Sequence, residues 1–289
     1  MDDLHDQLSA LMFRDTISTG DIFSAQVLKR RYFPAGLYKY RGCSQYSFEN
    51  LRTKSLFCAT ADTFNDPYDS AIKFTIPSLL SEPDVVALLD QMDDEPPMVK
   101  EALLEVLSER NSKTNKEMVD QFNKFIQSSY KICSLSERVD SLLMWGHYGA
   151  NHTGFAMEYD FQSLPADDVM ALCLWPVFYG DTIFDVSTTI NMDQGEGFNN
   201  LFAIASAMHK AADWSYEREW RIVIADGPTT PSRSFLAPLK AVHLGSKISA
   251  ENEKTIIDIA RAINVPAYKM QLSQHEFKME SVPLQQKDG

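Results

Sequence analysis

Leu37-Tyr-Lys-Tyr-Arg41, Ser47-Phe-Glu-Asn-Leu51 and Ser55-Leu-Phe-Cys-Ala-Thr60 follow one another closely in the chain. The outer two runs are short and rich in residues that suit a pleated surface, and Ser47 stands where it would cap a short helix between them. The reading is strand, helix, strand, followed by Phe64-Asn-Asp-Pro-Tyr-Asp69, whose Asn, Asp and Pro residues favour a turn.

On the N-terminal side, Leu4, Leu8, Leu11 and Met12, then Ile22, Phe23, Val27 and Leu28, have helical spacing up to Pro34. On the C-terminal side the character changes over about 83–130, where Val85, Leu88, Leu89 and Met92, then Leu103, Val106 and Leu107, then Met118, Val119, Phe122 and Ile126 predict three helices. Asp93-Asp-Glu-Pro-Pro97 reads as a solvated acidic hinge between the first two. Strands are expected at Tyr130–Ser136, Thr153–Tyr159, Leu172–Tyr179, Arg218–Ile224 and Ala241–Leu244, and near Tyr268 and Phe277. A short helix or turn is expected at Ser141–Tyr148, and helices around Phe198–Ala212 and through Ile256–Ile263. Strands cluster and helices come in blocks, so the expected class is α+β with a mixed, mainly antiparallel sheet. The expected organisation is an N-terminal helical extension over 1–33 and one domain over 34–289 that carries the helical block as an insertion.

Twenty-seven Lys and Arg residues against 40 Asp and Glu give a net charge of −13, which argues against a protein that coats nucleic acid through a basic surface. Hydrophobic residues at 44% and aromatic residues at 11% imply a folded chain. Cys43, Cys58, Cys133 and Cys173 are widely separated, so reduced thiols are expected in place of a zinc ribbon or a disulfide framework. The N-terminus has neither a basic segment nor an apolar one of secretory type, and no apolar run reaches the roughly 18 residues of a spanning helix. A cytoplasmic protein with no membrane partner is the expectation. No Gly-rich phosphate loop and no Gly-x-Ser-x-Gly occurs, which removes P-loop, Rossmann and serine-hydrolase-elbow readings.

Six motifs stand in order: Tyr38-Lys-Tyr-Arg41, Phe64-Asn-Asp-Pro-Tyr-Asp69, Cys133-Ser-Leu-Ser136, Met144-Trp-Gly-His-Tyr148, His152-Thr-Gly-Phe155 through Glu158, and Trp214-Ser-Tyr-Glu-Arg-Glu-Trp-Arg221. Together they resemble the bacterial domain-of-unknown-function family 2971, from about Leu37 to at least Leu244. The resemblance implies a bacterial intracellular protein and no particular reaction.

If the chain over Glu217–Ile224 is extended, Glu217, Glu219 and Arg221 share one face at spacings of roughly 6 to 7 Å, and Arg218, Trp220, Ile222 and Ile224 share the other. That pattern also fits a solvated strand face with a single Glu–Arg pair. The order Arg41, Ser134-x-Ser136, Glu217-x-Glu219 looks like the Arg, Ser-x-Ser and Glu-x-Glu arrangement of one class of ADP-ribosyltransferases, in which NAD is substrate and donor. That likeness implies Glu219 facing the cationic transition state, Glu217 orienting or deprotonating an acceptor, Arg41 on the dinucleotide phosphate, and Ser134 or Ser136 holding the strand or the ribose. His147 is a candidate proton-transfer group and Tyr148 a candidate stacking surface, with Asn65 and Asp66 at the same ligand. These residues are expected around one concave pocket, with the helical block outside it.

A metal site is not expected, because His147 and His152 are five residues apart and do not share a helix face. His5, His209, His243 and His275 read as ordinary histidines. The expected partners are a small-molecule nucleotide and an acceptor, protein or nucleic acid, that the sequence does not specify. A non-catalytic binding module of a stress or phage-defence system, and a metal-dependent hydrolase or nuclease, are the alternatives.

Overall fold

The computed structural model describes residues 2–14, 17–73, 115–186, 201–225, 227 and 229–284. The first two helices of the expected helical block and the acidic hinge lie outside the described residues.

Helix α1 (Asp2–Met12) buries Leu4, Leu8 and Met12, spaced by four, against the main core. Helix α2 (Thr19–Arg31) starts at a capping box in which Ser18 and Asp21 satisfy each other's backbone amides. The opening strand, helix, strand unit is present as β1 (Leu37–Arg41), α3 (Gln45–Arg52) and β2 (Ser55–Thr60). Its cap is Ser44, whose Oγ accepts from the Ser47 amide, so the helix starts three residues before the expected position. Ser47 is buried and its hydroxyl is 2.9 Å from that of Ser44.

After the two-residue β3 (Ile72–Lys73), helix α4 (Asn115–Ser129) buries Phe122 and Ile126 in a second, smaller core. It leads directly into β4 (Tyr130–Ser136), the hub of the sheet. Helix α5 (Leu142–His147), capped by Ser141, and strand β5 (Phe155–Tyr159) follow. The stretch expected as one strand over 172–179 is divided. Asp168 caps a short helix α6 (Val169–Cys173), and β6 (Leu174–Pro176) and β7 (Phe178–Gly180) then take different partners, because the Phe178 amide turns to the Met208 carbonyl. Beyond β8 (Phe184–Asp185), helix α7 (Phe202–Ala207) is shorter than expected; His209–Ala211 forms β9, parallel to β7. The remainder is β10 (Glu219–Ala225), β11 (Arg233–Leu236), β12 (Leu239–Leu244), α8 (Ala250–Ala262), β13 (Ala267–Leu272) and β14 (Met279–Pro283).

The large sheet runs β11-β2-β4-β1-β5-β12-β13-β14, with β10 on β4 and β6 on β10. All its pairs are antiparallel except β12 with β13, so the fold is α+β with a mixed, mostly antiparallel sheet. β10 lies along the whole of β4, whereas β2 pairs only with Ile132 and Lys131 of that strand and β1 only with Ser136. On the edge away from β10, strand β4 is therefore left without a strand partner between those two contacts, and a notch opens there. Among the described residues no helix is long and apolar enough to cross a membrane.

The connection between α5 and β5 holds three consecutive non-glycine residues in the left-handed region, Ala150, Asn151 and His152. Such residues cost about 1–2 kcal/mol each, and backbone bonds to Gly146, Trp145 and Lys247 hold the turn. Gly154 ends it against β1, where a Cβ would lie 2.1 Å from the Arg41 carbonyl oxygen. Gly154→Ala must push the two strands apart, and we expect it to lower unfolding free energy by about 1–3 kcal/mol in a denaturant titration.

Candidate functional site

The notch opens into a cleft of about 420 Å³. Register explains what lines it. Tyr38 of β1 and Glu219 of β10 both lie opposite Ser136 of β4, so three neighbouring strands set Tyr38, Ser136 and Glu219 in one row, with Ser134 and Arg221 paired next to it. The α5 helix brings Met144 and His147 to the rim, Tyr148 follows it, and the turn after β2 brings Phe64 and Asn65.

Arg221, fully buried on β10, organises the floor. Its Nη1 and Nη2 donate to Asp69 Oδ1 and Oδ2 at 2.9 and 2.6 Å, its Nε donates to Glu219 Oε1 at 2.8 Å, and Nη1 also reaches the Ala207 carbonyl at 2.8 Å. Lys210, just after β9 begins, donates from Nζ to Glu217 Oε2 at 2.6 Å and to Glu219 Oε2 at 3.1 Å. Glu217 ends a 3-10 turn and Arg218 is left-handed (φ 45°), so Glu217 precedes the strand instead of lying within it, yet Lys210 holds it beside Glu219. The two serines have separate tasks. Ser136 Oγ donates to the Glu217 carbonyl at 2.6 Å and fixes that turn to β4, while Ser134 lines the cleft with Glu219 and helps to hold that carboxyl low.

Three carboxyl groups, Asp69, Glu217 and Glu219, face two cations, Lys210 and Arg221, so full ionisation would leave one uncompensated negative charge in a buried cluster. The structure relieves it at one residue. Burial and then the charge of Glu219 push Glu217 above the usual carboxylate range. Burial works against ionisation of Glu219 too, but Arg221 and Lys210 outweigh it and hold Glu219 well below that range. Tyr148 Oη donates to Glu217 Oε1 at 2.5 Å, and burial together with that carboxylate raises the phenol. Two carboxyl groups with opposite shifts side by side are the arrangement from which acid and base roles arise.

Of the residues singled out from the sequence, Asn65, Ser134, Ser136, His147, Tyr148, Glu217 and Glu219 line this one cleft. Arg41 and Asp66 are outside its lining. Arg41 Nε and Nη2 are buried without hydrogen-bond partners, and Asp66 accepts the Tyr68 amide through Oδ1, closing its own turn. Lys39, two residues before Arg41, reaches the cleft instead; its Nζ donates at 2.8 Å to the Ser134 carbonyl in the notch. Burial lowers its pKa. The sequence reading missed Lys39 and Lys210. For Lys39 the β1 motif was the available signal; Lys210 had none. Among the described residues no group of three or more His, Cys, Asp or Glu side chains is placed to hold a metal ion.

Residues 144–222 match the model of a family described as Protein of unknown function (DUF2971). It is the family that the six motifs resemble. The matched segment runs from α5 to β10 and supplies His147, Tyr148, Lys210, Glu217, Glu219 and Arg221, while β1, the Asn65 turn and all of β4 lie before it. Neither a curated protein nor a solved structure matched the chain.

Removing Arg221 leaves Asp69 and Glu219 buried without their main counter-ion. Arg221→Met should cost about 3–5 kcal/mol at pH 7. Because wild-type Glu219 has a lowered folded pKa, its contribution is present above the unfolded value of about 4.3 and fades as pH falls further. The gap between wild type and variant should therefore narrow below about pH 4, which denaturant titrations from pH 7 to 3 will read.

Proposed function

We propose that the cleft is the catalytic site of an ADP-ribosyltransferase-like enzyme that uses NAD as substrate in the bacterial cytoplasm. The observation that carries this reading is the pair Glu217 and Glu219, pushed in opposite directions at the floor of one cleft and flanked by Ser134 and Ser136. When the bond between nicotinamide and ribose breaks, its electron pair leaves with nicotinamide and the ribose becomes oxocarbenium-like. A carboxylate that stays ionised is suited to face that cation, and Glu219 is the one the fold holds ionised. Glu217, with its raised proton affinity and its Tyr148 partner, is suited to take the proton from the acceptor as the new bond forms. Lys39 takes the phosphate-facing role that the sequence likeness gave to Arg41. Tyr148 and His147 offer the rings against which nicotinamide stacks.

One observation favours a non-catalytic relative of this reading. Both Glu219 oxygens are engaged by Arg221 and Lys210, as befits a cleft that binds a nucleotide without cleaving it.

Glu217→Gln is the more informative variant, because the fold gains least from an ionised carboxylate there; Glu219→Gln disturbs Arg221 as well. With NAD, the wild type should release nicotinamide, and Glu217→Gln should lower transfer roughly 10²- to 10⁴-fold with NAD affinity and thermal midpoint little changed. Activity should rise with pH as Glu217 loses its proton. NAD binding with no nicotinamide release by the wild type would select the binding module. Turnover that appears only with added divalent metal and a phosphodiester or ester substrate would select the hydrolase.

A further inference from the structure

The face of the sheet that carries Tyr38 continues past the cleft to a second polar group. Glu158 of β5 lies opposite Tyr38 in register, His243 is on the next strand, β12, and Ser281 is on the edge strand β14. His243 is only 4% exposed. Its ring stacks on Tyr268 at 5.0 Å and meets the edge of Tyr38 at 5.5 Å, which fixes its plane. Its Nε2 is 2.8 Å from Glu158 Oε2 and its Nδ1 is 2.9 Å from Ser281 Oγ. The other Glu158 oxygen takes Lys240 Nζ at 2.8 Å.

The direction of each bond follows from the carboxylate. Burial opposes ionisation of Glu158, but hydrogen bonds from His243 and Lys240 outweigh it and leave its pKa lowered. An ionised carboxylate only accepts, so the proton between Glu158 and His243 sits on Nε2. In a neutral imidazole Nδ1 is then a lone pair, and the Ser281 hydroxyl is the donor to it. A serine pointing its proton at a histidine whose tautomer is set by a buried carboxylate is the relation of nucleophile, base and orienting group. Here Nδ1 faces the hydroxyl and Nε2 the acid.

The position on β14 adds access and a donor. Ser281 is exposed, whereas its two partners are not. Along the strand, the Leu284 amide bonds Ala267 next to β13 and the Met279 amide bonds Asp140 on the other side. By the alternation of a strand, the Ser281 amide points with that of Met279, away from β13. It is thus directed to the open edge, where an oxyanion formed at Ser281 could be met by the residue's own N–H.

We propose that Ser281 is an activated nucleophile for small acyl esters, with His243 as its base and Glu158 as a positioning residue. Oγ attacks the ester carbonyl carbon while its proton passes to His243 Nδ1. The ester C–O bond breaks, the alcohol leaves with that proton, and the acyl group stays on Ser281. Water then attacks with the same base, releasing the carboxylic acid and restoring the serine. The cleft chemistry plays no part in these steps, so the proposal stands or falls independently of the NAD reading.

The full chain is treated with a fluorophosphonate probe, whose P–F bond breaks as fluoride leaves, and separately with p-nitrophenyl acetate. Expected are one adduct per chain, mapped to Ser281 by peptide mass spectrometry, and a p-nitrophenolate burst near one equivalent. Ser281→Ala should lose both with an unchanged melt and an unchanged response to NAD. His243→Gln, or Glu158→Gln if that variant does not fold, should slow labelling at least tenfold. Labelling of Ser281 no faster than that of the exposed serines Ser24 and Ser163 would overturn the proposal, as would undiminished labelling in a folded His243→Gln or Glu158→Gln chain.

Discussion

A guanidinium with no exposure to water sits between two carboxylates, and much of the architecture is arranged to keep it there. Arg221 uses Nε, Nη1 and Nη2 at once, joining the turn after β2 through Asp69, its own strand through Glu219 and the end of α7 through the Ala207 carbonyl. A buried ion of this kind is tolerated only when its partners are complete, since the cost of drying it is several kcal/mol. Here the partners are complete for Arg221 and over-complete in negative charge, and the surplus falls on Glu217. Burial raises Glu217 first, and the charge of Glu219, held beside it by the same cations, adds to that shift.

The strands and most helices were legible in the sequence because their signals are local. The β-rich residue content of Leu37–Arg41 and Tyr130–Ser136, and the fourfold spacing of Leu4, Leu8 and Met12, are properties of short stretches of chain. Ser44 and Ser47 illustrate the limit: both precede apolar helix residues, and only the backbone at Ser44, extended at φ −150° and ψ 159°, makes it the cap. The division of 172–179 followed from partner choice, which no local pattern records.

For the site, the sequence identified residue types on one strand row but not their burial. Glu219 and Arg221 were compatible with a solvated face bearing one ion pair. What removes that possibility is Lys210 and Asp69 arriving from other parts of the chain. Arg41 and Lys39 lie on the same side of an ideal strand, so choosing between them needed the notch in β4 pairing, which exposes the Ser134 carbonyl to Lys39. His243 likewise had no motif. Its partner Glu158 is 85 residues away, and the two meet only because β5 pairs with β12.

The pair between Asp69 and Arg221 spans 152 residues. At roughly 5–20 residues per second of synthesis, Asp69 leaves the ribosome on the order of 8–30 s before the guanidinium that it needs. Until then, burying that carboxylate would be unfavourable, so the turn carrying it stays hydrated and the row of β1 and β4 has no β10 beside it. The cleft consequently cannot be completed before β10 has been made, and a chain interrupted ahead of Arg221 has strands but no floor on which to bind or transform anything.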